Sequence, residues 1–132
     1  MSIQQLKITT KWVVAAWALA AACAPRTCSD RDDVWLARAI EILVEDDGQG
    51  AREAHALIVD RGFEAIALLE TAIYGATESG RRRVVRALVD VGHPEVVPIL
   101  KKLSEVDAAE SVRQEALRGL SALSARGPIH SP

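Results

Sequence analysis

Ile58-Val59-Asp60-Arg61-Gly62 returns as Leu88-Val89-Asp90-Val91-Gly92 thirty positions on, and Ala65-Ile66 to Leu68-Leu69 returns as Val96-Val97 to Ile99-Leu100 thirty-one on. A third copy follows: placing Leu88 over Leu120 puts Val84 over Ala116 and Val91 over Leu123. The apolar seam therefore survives while the other positions drift. A period near thirty with helical spacing inside each copy predicts stacked helix pairs, none of which buries its apolar face alone. The fold class this implies is all-α, a short α-α solenoid of about three helix pairs.

Composition agrees. Apolar residues make up 49% of the 132-residue chain but aromatics only 4%, so the core has to be Leu, Val, Ile and Ala packed between helices. The length allows one domain. Candidate strand stretches such as Val96-Val97 lie inside stronger helical patterns.

Working outward, Ser29 opens the folded part, 29–126, as an N-cap with Asp32 three residues on. The first helix runs to about Glu45, with Leu36, Ala39, Ile40, Leu43 and Val44 inward, and Gly48-Gln49-Gly50 ends it. Helix two takes Ala51 to Arg61, stopped by Gly62; helix three takes Phe63 to Tyr74, stopped by Gly75. Helix four runs from about Ser79 to Val91, with Val84, Ala87, Leu88 and Val91 inward, and Gly92 stops it. Pro94 serves as a first-turn residue of helix five, while Pro98 either bends that turn or moves the regular helix later. Asp107 to Glu110 caps the last helix, whose seam is Val112, Ala116, Leu120 and Leu123; Gly127-Pro128 begins a disordered tail, 127–132.

Residues 1–22 read as an export or lipoprotein signal. Lys7 and Lys11 make a positive start, Trp12 to Ala22 is apolar, and Ala20-Ala21-Ala22 precedes Cys23. The run falls short of the roughly 20 residues that span a bilayer. Ala22-Cys23 resembles a bacterial lipoprotein processing site with Cys23 as the lipid attachment point, although Leu19 stands one position too early for that pattern. Ordinary cleavage beside Cys23, and an uncleaved anchor or packed N-terminal helix, are the alternatives. Residues 23–28 would be a tether. Cys23 and Cys28 could close a short disulfide where neither is lipidated. The expected location is the bacterial cell envelope, as a membrane-anchored lipoprotein or in the periplasm, with membrane contact only through the lipid.

The full chain carries 16 basic and 18 acidic residues, net −2; without Lys7 and Lys11 it is −4. That argues against nucleic acid, whose binding rests on phosphate neutralisation. Two cysteines without neighbouring ligands make no structural zinc site, and no cofactor is expected. His55, His93 and His130 are scattered, with no nucleophile or acid at motif spacing, so no enzyme activity is expected.

Arg81, Arg82, Arg83 and Arg86 form the densest charge cluster, placed where the helix macrodipole disfavours it. It is a candidate anion patch; the simpler reading is a solvated face with Arg86 paired to Asp90 at i+4. Glu45-Asp46-Asp47-Gly48 lacks the ligand spacing of a calcium loop and reads as solvated. Counting faces at 100° per residue, Glu41 and Glu45, then Glu64, Ala67 and Thr71, then Pro98, Lys102 and Glu105 lie opposite successive buried stripes.

Ala87 to Leu100 resembles the short HEAT repeats of the phycocyanobilin-lyase type: Gly92, His93, Pro94, Glu95, Val96, Val97 and Pro98 match that family's inter-helix turn position by position. The likeness extends over Arg81 to Leu123 and weakens towards Ala51 to Ile73, where no Pro follows Gly62. It implies a right-handed stack whose second helices line a concave, protein-binding face. Glu41, Glu45, Glu64, Thr71, Lys102 and Glu105 would then contact a protein partner. A non-catalytic scaffold is the leading expectation. An enzyme accessory or ligand-binding protein related to bilin lyases is the alternative, and needs a pocket with converging polar groups.

Overall fold

The computed structural model describes residues 28–127. Backbone contacts divide the chain into Met1–Asp32 and Asp33–Pro132; of the first unit, only the opening turn of a helix is described. The described elements are α1 (Cys28–Glu45), α2 (Gln49–Arg61), a 3-10 turn (Gly62–Ala65) running into α3 (Ile66–Ile73), α4 (Glu78–Val91), α5 (Val96–Val106) and α6 (Glu110–Ala125), with no strand among them. α4 packs on α2 and on α6, α3 packs on α4, and α5 packs on α6. First helices thus stack on first helices, and each second helix rests on the first helix of the next repeat. This is a short helical solenoid, in which α2/α3 and α4/α5 are complete pairs.

The repeat seam is the core. Ile58, Val84, Leu88, Leu100, Val112 and Ala116 are fully buried, and no polar residue is buried among those described. In α1, Leu36, Ala39, Ile40 and Leu43 are buried as their spacing predicts, with Val44 at the margin. Val85 is buried as well, beyond the predicted stripe of α4, because that helix is covered from both sides by α2 and α6. Leu120 is only half-buried; Gly119 beside it is the buried position. A Cβ on Gly119 would run into Val89 Cγ2 and approach Leu100 Cδ1 to 3.4 Å, so the missing side chain is what lets α6 close on α4 and α5.

Gly62 and Gly92 do the same work in successive copies. Both have positive φ, 59° and 67°, and their N–H groups donate to the carbonyls of Ile58 and Leu88. That backbone reverses the chain at a cost that only glycine avoids. Gly75 does not: its φ is not positive, and α3 ends through an ordinary right-handed Tyr74.

Other boundaries move. Cys28 opens α1, so Ser29 lies inside its first turn and the proposed tether ends in helix. Gln49 and Gly50 belong to α2 rather than to a stop after α1, because the Asp46 carboxylate accepts from Gly48 N–H (2.9 Å) and folds the turn. Phe63 to Ala65 is 3-10 rather than α. Thr77 caps α4, its hydroxyl accepting from Gly80 N–H at 3.2 Å. Helix α5 begins at Val96, so Pro94 sits in the preceding turn, whose carbonyls from His93 and Pro94 accept from Val96 and Val97. Pro98 then falls in the first turn, where the missing donor would have no intrahelical acceptor. Asp107 does not cap α6; it accepts from Ala109 N–H (2.9 Å), and Ala109 precedes the helix. Cys23, residues 1–22 and the tail beyond Gly127 lie outside the described residues.

Candidate functional site

A groove on the second-helix face needs α3 and α5 held at fixed spacing, and the ties that hold the stack are arginines. Arg83 donates from Nε to Leu43 O (2.7 Å) and from Nη2 to Val44 O (2.6 Å). These are free carbonyls at the C-terminus of α1, where a cation also complements the helix dipole. Beside it Gly80 leaves no room: a Cβ there would sit 2.8 Å from Val44 O. Arg81 donates to both Asp107 oxygens (2.9 and 3.1 Å) and to Ala76 O (3.0 Å), joining two inter-repeat turns. The Asp107 side chain is only 6% exposed, so this pair is shielded from water.

Glu115 of α6 gathers three more cations. Arg86 Nε lies 2.8 Å from Oε1, with Arg118 at 3.6 Å and Arg82 at 3.8 Å from Oε2. The hydrogen bond from Arg86 holds the Glu115 carboxyl below its ordinary pKa against the opposing effect of burial, and Glu115 in turn raises Arg86. Arg81, Arg83 and Arg86, which oppose the dipole of α4, are therefore stabilised by acceptors on neighbouring elements, whereas Arg82 keeps a buried Nε without a hydrogen-bond partner. Arg86 does not pair with Asp90, because Glu115 faces it across the α4–α6 contact; Asp90 is instead 2.8 Å from His55 Nε2. Arg81, Arg82, Arg83 and Arg86 engage three separate sets of partners rather than one anion site.

Between α3 and α5 the surface opens into two adjoining hollows. The larger, about 500 Å³, is lined by Phe63, Ile66, Ala67, Pro98 and Ile99 with Glu64, Glu70, Glu95 and Lys102 around them. The smaller, about 270 Å³, shares Glu70, Ile99 and Lys102 and continues past Tyr74 and Leu103 to Val106 and Asp107. Lys102 Nζ donates to Tyr74 Oη at 2.9 Å and lies 5.5 Å from the ring centroid. That hydrogen bond raises the Lys102 pKa. Phe63 is 56% exposed, steadied by His93 with ring centroids 4.8 Å apart. Tyr74 and Val106, which line the smaller hollow, are 71% and 67% exposed.

All the residues expected on the second-helix face are exposed. The groove brings together Glu64, Ala67, Pro98 and Lys102. Glu41 and Glu45 stand apart on α1, Glu41 paired with Arg38 at 2.8 Å. Thr71 bonds back to Ala67 O (2.9 Å), and Glu105 is exposed outside the groove lining. Face counting missed Phe63, Glu70, Tyr74 and Ile99. Phe63 and Tyr74 had a signal available: they are the only Phe and Tyr in the chain and they bracket α3. Glu70 and Ile99 had none, since they sit between the buried stripe and the outer face. His93 Nδ1 accepts from Glu95 N–H (3.3 Å), and His130 lies outside the described residues. Among the described residues no three His, Cys, Asp or Glu side chains converge as metal ligands, and no helix is long and apolar enough to cross a membrane.

Among the described residues the fold is all-helical and repeat-packed, with an open groove between its second helices. Comparison with protein-family models, curated proteins and solved structures finds no match for the chain.

Proposed function

We propose that this chain is a non-catalytic, HEAT-like scaffold of the bacterial cell envelope that binds another protein along the α3–α5 groove. The observation that carries the reading is the set of solvent-facing Phe63, Tyr74 and Val106 beside the two hollows, on a face where Arg81 joins the turns that follow α3 and α5. Exposed aromatic side chains over an apolar cleft are what protein interfaces use as anchors. The turn from Gly92 to Pro98 supports the HEAT-like assignment, and the signal-like residues before Cys23 support the envelope location.

The test is site-specific photocrosslinking in intact cells, with the probe at Ala67 in the groove and, for comparison, at Gln114 on α6, both exposed. The expected result is a discrete adduct to one protein from Ala67 and none from Gln114. Equal labelling from both positions, or none from Ala67, would remove the groove from the binding role.

A further inference from the structure

Charge around the larger hollow is one-sided, whereas in the smaller one Arg81 and Lys102 balance Asp107 and Glu70. Glu64, Glu70 and Glu95 face the larger hollow with a single ammonium, Lys102, already held by Tyr74. Arg61 pairs with Glu64 at 3.8 Å and Glu70 interacts electrostatically with Lys102, while the Glu95 carboxylate neither accepts a hydrogen bond nor closes an ion pair among the described residues. An apolar floor flanked by three carboxylates against one ammonium disfavours an acidic or purely apolar occupant and favours one that brings cations to both sides of an apolar stripe. The occupant must also satisfy its own backbone. No described element is a strand, so there is no sheet edge to which an extended peptide could add. A helix satisfies its own backbone and can lay an apolar stripe into a groove.

We infer that the groove between α3 and α5 receives a basic amphipathic helix of the partner protein, its apolar stripe on Phe63 and Ile99 and its Lys or Arg side chains against Glu70 and Glu95. This rests on the protein-binding reading above and adds the chemistry of the partner.

The full chain is titrated into two fluorescent synthetic helical peptides with the same leucine stripe, one carrying lysines and one glutamates, and anisotropy is read. The lysine peptide binds at least about tenfold tighter, a difference of about 1.4 kcal/mol, and weakens as salt rises from about 0.05 to about 0.5 M. Glu70→Lys with Glu95→Lys reduces its affinity at least about tenfold. The charge-matched pair Glu53→Lys with Asp60→Lys, exposed on α2 away from the groove, changes it less than about threefold. Preference for the glutamate peptide, equal loss from both charge pairs, or failure of the lysine peptide to bind overturns the basic-helix inference. If a discrete Ala67 adduct still forms in cells, the docking face survives that failure; without the adduct both readings fall.

Discussion

Replacing Gly119 with alanine adds one carbon at the point where α6 meets α4 and α5, and two opposing terms decide the outcome. Alanine in a helix interior is favoured over glycine by about 1 kcal/mol. Against that, the new Cβ would overlap Val89 Cγ2. A valine in a helix has essentially one χ1 well, so Val89 cannot swing aside, and the backbones must part. Overpacking of this kind costs about 1 to 3 kcal/mol, giving a net loss of up to about 2 kcal/mol from the two terms. Val89→Ala removes the obstructing atom and leaves Leu100 Cδ1, the end of a flexible chain, as the nearest neighbour at 3.4 Å. In that background Gly119→Ala should stabilise by about 1 kcal/mol, reversing its sign. Urea titrations followed by circular dichroism at 222 nm on the four members of the cycle give each difference from the midpoint and slope. Stabilisation by Gly119→Ala in the original background, or the same change in both, would refute the close approach of α6 to α4.

Two further expectations concern the ties between helices. Arg83→Met should free the carbonyls of Leu43 and Val44, costing about 1.5 to 3 kcal/mol as loss of charged hydrogen bonds, with faster amide exchange in the last turn of α1 and unchanged exchange in α6; equal protection in α1 would show that Arg83 does not hold it. Glu115 titrates below its ordinary value when folded, so its contribution to stability is complete above the usual carboxylate pKa of about 4.3 and is lost as pH falls through the lower folded value. Glu115→Gln should therefore be less stable than the original near neutral pH and match it in acid. A gap that stays constant from neutral pH into acid would mean that ionised Glu115 contributes no pH-dependent stability.

Helix identity was legible in the sequence because it depends on local geometry. The seam of Val84, Ala87 and Leu88 follows from a 3.6-residue period, and Gly62 and Gly92 stop their helices through a backbone conformation that needs no distant partner. The thirty-residue period added the stacking order, since equivalent seams can be buried only against each other. Boundaries failed where a side chain chose between turn and helix: Asp46 and Asp107 each close an inter-repeat turn on the N–H two residues ahead, a choice their sequence neighbours leave open. Partners of the charged residues came only from tertiary structure. Arg86 has Asp90 four residues away and bonds Glu115 twenty-nine away, because the α4–α6 contact brings Glu115 within reach, and Arg81 and Arg83 likewise find acceptors on other elements. The groove belongs to the same category. Its residues share no motif, and what unites Phe63, Glu70, Pro98 and Ile99 is that packing α3 on α4 and α5 on α6 leaves a channel between two helices that are not neighbours in sequence.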